Sequence, residues 1–212
     1  MELFFSPLAC SMSSRIALYE AGATAAFIEV DPKTKRTSSG QDYLTINPLG
    51  LVPALRLPGG ALLLENAAIL QAIADAHPQA AIAPRDGIAR SLLQQWLSFI
   101  GTELHKATFI PLFDKTQTET ARDKILRAGA HRLAYLQAHL AEREFLLDGW
   151  SVADAYLTTV LNWHQATGVD LGRWPVIQAY FKRMCARPAT ARAMAEEAAL
   201  YAEELRRHRA AA

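Results

Sequence analysis

The chain has 212 residues, 51% of them hydrophobic and 20% charged, with a formal net charge of +1. That apolar content supplies one large core or two smaller ones, and the near-zero charge excludes a disordered chain and a strongly basic nucleic-acid binder. Cys10 and Cys185, the two cysteines, make neither a disulfide framework nor a zinc ligand set, so no metal is expected.

Met1-Glu2-Leu3-Phe4-Phe5 lacks the basic region and long apolar run of an export signal, and no stretch holds eighteen consecutive apolar residues; a cytoplasmic protein without a membrane partner is expected. Residues 3–6 are a short apolar run ended by Pro7, which predicts a buried strand, and 11–21 carries Ile16, Ala17 and Ala21 at helical spacing ahead of Gly22. Residues 25–30 predict a second strand, followed by a polar, turn-rich loop over 31–40 and a short helix near 41–46. The other half of this small sheet is a strand over 52–57, the turn Pro58-Gly59-Gly60, a strand over 61–64 and a helix over 67–76 closed by His77-Pro78. Two prolines and no period over 78–87 mark a linker. Beyond it, periodic apolar positions predict helices over 88–109, 120–140, 152–166, 176–186 and 190–205. The expected architecture is therefore α/β plus all-α, an α/β domain over 1–80 and an all-helical domain over 87–212.

Three features of the first half bear on chemistry. Cys10 falls between the first strand and the first helix, where a thiol meets the positive end of the helix dipole and hydroxyl donors from Ser11 or Ser13. Pro53 has no N–H for a ladder, so Val52-Pro53 reads as a turn entering an edge strand; a cis bond there leaves the Val52 N–H and C=O free for an extended peptide. Glu65-Asn66 precedes a helix whose first N–H groups attract a carboxylate. Together these describe a dock for a small anionic peptide. Cys185 reads as packing, and Arg206-Arg207-His208-Arg209 as a basic helix end that complements the helix dipole.

The ordered set Ser6-Pro7 to Cys10-Ser11, Asn47-Pro48 to Val52-Pro53-Ala54, and Glu65-Asn66 to Ile69 resembles the glutathione transferases, in particular the bacterial beta class. The resemblance spans nearly the whole chain, because Thr102-Glu103-Leu104-His105-Lys106 and Gly149-Trp150-Ser151-Val152-Ala153-Asp154 resemble that class's helical-domain signatures. It implies a thioredoxin-like glutathione-binding domain, a helical bundle domain covering the acceptor substrate, a homodimer, and a detoxifying transfer of the glutathione thiol to a small hydrophobic electrophile. Glutathione then enters as co-substrate, held by Lys35 at its glycyl carboxylate, by Leu51, Val52 and Pro53 along its cysteinyl unit, and by Glu65 and Asn66 at its γ-glutamyl end. Cys10, Ser11 and His105 fall near the sulfur as catalytic candidates, and Phe5, Leu8, Phe109 and Phe113 line the electrophile site. The same scaffold leaves open a glutathione-dependent isomerase, dehalogenase or ether-cleaving enzyme, thiol–disulfide exchange through Cys10, and a non-catalytic glutathione-binding regulator.

Phe5, Leu8 and Asn66 depart from the class, which commonly has tyrosine, glycine and serine there. Phe5 has no hydroxyl to donate, Leu8 narrows the loop's conformations, and Asn66 keeps a hydrogen-bonding side chain. Ser151 and Asp154 are expected to form a capping box, a structural feature with no part in catalysis.

Overall fold

The computed structural model describes residues 1–210, which divide into two units: Met1–Ile82 together with the chain from Pro188 onward, and Ala83–Arg187. In the first unit β1 (Glu2–Phe5), α1 (Met12–Glu20) and β2 (Ala26–Glu29) form a β-α-β segment; β3 (Ala54–Arg56), β4 (Leu62–Leu63) and α2 (Asn66–Ala76) complete it. The sheet order is β2-β1-β3-β4, with β1 parallel to β2 (Leu3 opposite Phe27) and antiparallel to β3 (Leu3 opposite Leu55). This is a thioredoxin-like domain, and Leu3, Phe4, Ile16, Leu55, Ile69 and Leu70 are buried in it. β3 starts two residues later than the apolar run suggests, because Pro53 has no N–H to give the ladder. The Val52–Pro53 peptide is cis.

The second unit is helical. Gly87–Phe99 (α3) runs without a break into a π-helix over Ile100–Phe109 and a last turn at Ile110–Leu112 (α4). The apolar spacing of 88–109 predicted one ordinary helix; it carries no signal for the wider register. Locally, the Thr108 hydroxyl donates to the Glu103 carbonyl five residues back (2.7 Å), and Pro111 withholds an N–H one turn on. Glu119–Leu140 (α5), Val152–Asn162 (α6), the single turn His164–Thr167 (α7) and Pro175–Cys185 (α8) follow. Every residue of α6 is buried, so it is the central rod of the unit. The unbroken helix predicted over 152–166 is interrupted at Trp163.

Close approach of α5 to the π-helix is permitted by Gly129, where a Cβ would stand 2.6 Å from Thr108 Cγ2. Gly129→Ala is therefore expected to cost about 1–2 kcal/mol, overpacking outweighing the gain of about 1 kcal/mol in helix propensity. Denaturant unfolding checks this: a midpoint at or above that of the wild type means that the two helices separate freely.

The last helix, Pro188–Ala210 (α9), expected in the all-helical domain over 87–212, belongs instead to the first unit. Its buried positions are Thr190, Ala193, Glu197 and Glu204, a single face made of small and polar residues. Ion pairs attach that face: Arg15, buried and stacked on the rings of Phe5 and Phe27, lies 3.0 Å from both Glu196 and Glu197. The basic end does more than complement a dipole, since Arg207 pairs with Glu29 and His208 with Asp31.

Candidate active site

The loop between β1 and α1 is closed by its own hydroxyls. Ser6 Oγ donates to the Val30 carbonyl (2.6 Å), while Ser11 Oγ accepts from the Ser6 N–H (3.3 Å) and donates to the Ser6 carbonyl (3.2 Å). Ser11 is fully buried, and Ser13 donates to the Cys10 carbonyl (2.7 Å). The two hydroxyls expected to face the Cys10 sulfur are thus bonded to main-chain oxygens instead. Cys10 is half-buried, and its Sγ donates to the Val52 carbonyl at 3.3 Å. One of the two Val52 groups expected to be free is therefore taken by the thiol.

Cys10 and the start of α2 are joined through Asn66. The Asn66 amide nitrogen donates to Ser13 Oγ (2.9 Å) and its oxygen accepts from Ser14 Oγ (3.0 Å), in a site where Asn66 is 6% exposed. Its side chain, expected to reach a ligand carboxylate, is spent on fixing α2 against α1. Glu65, just before it, is exposed and sits at φ 67°. That is left-handed backbone, costing a residue with a side chain about 1–2 kcal/mol. Opposite, Tyr43 Oη (2.9 Å) and Asn47 Nδ2 (2.7 Å) both donate to the Leu51 carbonyl, presenting Leu51, Val52 and Pro53 in a fixed turn.

Lys35 also has positive φ (56°), and its Nζ donates to the Gly50 carbonyl (3.0 Å), next to that turn. Gly50 has φ 61°, and a Cβ there would stand 3.1 Å from Leu44 and 3.4 Å from the Lys35 stem, so glycine leaves the lysine its seat. Leu8 completes the group at φ 58°, a conformation that a glycine would adopt without strain. Its N–H donates to Glu197 Oε2 at 2.7 Å, which ties the loop of Cys10 to α9. Burial pushes the Glu197 carboxyl up to about 7, against the opposing pull of Arg15 and of the Leu8 N–H. In the sequence Glu197 is one of two adjacent acids on a charged helix, a pattern that looks like solvated surface.

Phe5 corrects the sequence reading: it is 2% exposed, lies under the Arg15 guanidinium and meets Phe27 edge-on, so it is core of the first unit and lines no open site. In the helical unit, His105 is buried. Its Nδ1 lies 2.7 Å from the Tyr156 hydroxyl, and its ring meets Trp163 edge-on at 4.9 Å. Burial first, and then the neighbouring Lys106, hold its pKa down at about 4, so it is neutral at physiological pH and no imidazolium is at hand to steady a thiolate. Trp163 also meets Phe109, which is buried, and Phe113, which is exposed. Ser151 and Asp154 form a capping box at the start of α6, and the buried Asp154 carboxylate also accepts from Leu146 N–H (2.9 Å) and Tyr180 Oη (2.8 Å). Among the described residues no group of three or more metal-type side chains converges.

Residues 9–76 match the family described as glutathione S-transferase, N-terminal domain, and residues 99–188 the one described as glutathione S-transferase, C-terminal domain. Glutathione S-transferase GstA of Escherichia coli O157:H7 is 38% identical over 199 residues, covering 93% of this chain and 98% of the relative. A solved sphingomonad glutathione S-transferase complexed with glutathione aligns with a TM-score of 0.89 at 41% identity, covering 93% of this chain and 99% of that one. The bacterial beta class glutathione S-transferase of Sphingomonas chungbukensis aligns with a TM-score of 0.88 at 43% identity, covering 93% and 98%.

Proposed function

This chain belongs to the glutathione S-transferase family, in its bacterial beta class, and we propose from that premise that it conjugates glutathione to small apolar electrophiles, with thiol–disulfide exchange as a side activity of Cys10. One observation carries the reading. Of the four described non-glycine residues with positive φ, Lys35 and Glu65 are expected at the glutathione site and Leu8 at the adjoining electrophile site. Backbone strain persists where the surroundings over-determine it, and here two of the four strained residues fall where a peptide would be held and a third where its acceptor would be. In this reading the Val52 main chain pairs with the cysteinyl unit, displacing the Cys10 thiol from its carbonyl. The Glu65 carboxylate takes the α-ammonium, the first N–H groups of α2 take the α-carboxylate, and Lys35 takes the glycyl carboxylate. Asn66 acts by placing α2, and Ser11 by closing the loop. The aromatic group of Phe113, Phe109 and Trp163 supplies the acceptor side of the helical unit.

Glutathione's own sulfur attacks the electrophilic carbon; a C–S bond forms, the bond to the leaving group breaks, and the thiol proton goes to solvent. Cys10 is not needed for that attack. With oxidised glutathione, the Cys10 thiolate attacks the S–S bond, forms a mixed disulfide and releases one glutathione thiolate. Cys10→Ala is thus expected to keep substantial conjugation of an aryl halide while losing the mixed disulfide, read by intact mass after treatment with oxidised glutathione. Loss of conjugation with glutathione still bound would move the chemistry to Cys10 itself. Because the His105 pKa lies at about 4, His105→Ala should lower turnover by a factor that stays constant from pH 5.5 to 8; a step near pH 6.5 would mean that the imidazole titrates in turnover. Assays of isomerisation, dehalogenation and ether cleavage test the related chemistries.

We further propose a homodimer, supported by the exposed Leu44, Leu49 and Leu51 of the first unit and Ile88, Leu92 and Tyr135 of the second, with light scattering as its test. A cytoplasmic location is in keeping with the two free cysteines, and a detoxifying role follows from the proposed conjugation. Among the described residues no helix is long and apolar enough to cross a membrane.

A further inference from the structure

The last turn of α9 meets the loop that carries Lys35 at a single side chain, Asp31. His208 Nε2 lies 2.7 Å from Asp31 Oδ2, with both side chains largely buried (14% and 19% exposed). The other carboxylate oxygen, Oδ1, accepts from the N–H groups of Lys33 (2.8 Å) and Thr34 (2.9 Å). The Asp31 main chain closes the same loop: its carbonyl accepts from the Lys35 N–H (3.0 Å) and its N–H donates to the Arg36 carbonyl (2.9 Å). One side chain therefore bonds α9 through one oxygen and builds the turn to Lys35 through the other. Burial raises the Asp31 carboxyl, but the Thr34 N–H, His208 and the Lys33 N–H outweigh it and leave it at about 2, charged throughout the working range. Glu29, paired with Arg207, and the buried Glu204, one turn before His208, surround the contact.

We propose that His208, acting through Asp31, is a positioning residue that sets Lys35 for the glycyl carboxylate, so that the C-terminal helix tunes preference for the intact tripeptide. The proposal rests on the assignment of Lys35 made above. The Lys35 main chain is held through its N–H by the Asp31 carbonyl and through its carbonyl by the Tyr43 N–H (2.8 Å), and the Asp31 side chain is bonded outside the loop to α9.

The test compares steady-state conjugation with glutathione and with γ-glutamylcysteine, which lacks the glycine, for the full chain and five variants, each checked by thermal melting. His208→Ala is expected to raise KM for glutathione about 3–10-fold, the worth of one partly buried charge-assisted bond, while kcat and the KM for γ-glutamylcysteine stay within about twofold. His208→Gln keeps an N–H toward Asp31 and should restore most of the preference. Asp31→Asn keeps the oxygen that builds the turn but loses the charge facing His208; it should match His208→Ala, and the double variant should be no worse than either single one. A His208→Ala variant that weakens both thiols equally, or that melts earlier with the preference unchanged, overturns the proposal by making the contact purely structural. Lys35→Ala separates the two levels. If it leaves the preference intact, the assignment of Lys35 fails and takes the proposal with it. If it abolishes the preference while His208→Ala does not, the positioning role alone fails.

Discussion

Asp154→Ala is expected to cost about 3–5 kcal/mol of stability, more than any other single change considered for this chain. The carboxylate is wholly buried at the start of the central helix α6. One oxygen accepts from Leu146 N–H and Tyr180 Oη, and the other from Ser151 N–H (2.9 Å) and Ser151 Oγ (3.0 Å). Burial raises its pKa and these four donors oppose the rise. Truncation removes the acceptor from all four, and a buried donor without a partner costs its full desolvation. The neighbours grade the effect: Ser151→Ala should cost about 0.5–2 kcal/mol as a lost cap, and Tyr180→Phe about 1 kcal/mol as one lost hydrogen bond. Denaturant unfolding gives the order, and calorimetry on the folded fraction should find glutathione affinity unchanged. An Asp154→Ala protein within 1 kcal/mol of the wild type would mean that water takes over the carboxylate's bonds.

Glu65→Gln is expected to raise the dissociation constant for glutathione by about 10–100-fold, the worth of a charge-assisted bond to the ligand's α-ammonium. Glutamine is the sharper choice because it keeps the side-chain shape and pays the same backbone cost at φ 67°. Melting should be unchanged, since Glu65 is exposed and makes no capping bond to α2. Glu65→Ala should lose as much affinity. Unchanged affinity in both variants would remove Glu65 from the site and leave the α2 N–H groups as the γ-glutamyl contact.

The candidate site was legible where its signal is local. Pro53 announces a turn entering an edge strand, although the strand expected over 52–57 begins only at Ala54, and Glu65-Asn66 announces a helix start; both signals depend on the backbone chemistry of a few neighbouring residues. Roles that depend on what a side chain meets were less legible. Ser11 and Asn66 carry groups suited to a ligand, yet both are bonded inside the unit, and Phe5 lies beneath a guanidinium that no pattern around residue 5 foretells. His105 was expected beside the sulfur as a catalytic candidate; Tyr156 and Trp163, more than fifty residues later, pack against it, and burial holds its pKa down at about 4.

By itself the sequence determined the two-part plan, an α/β segment followed by helices, and the ordered motifs of the glutathione transferases. Apolar periodicity and caps act within one or two turns of chain, so they survive without knowledge of neighbours. Only the tertiary structure decided where α9 belongs and what it does. Its buried face is Thr190, Ala193, Glu197 and Glu204, and an apolar stripe is the one thing that a pattern search can see. The worth of Glu197 and His208 comes from Leu8 and Asp31, about 180 residues away in the chain; a hydrogen bond or ion pair exists only once folding has brought its two ends within reach.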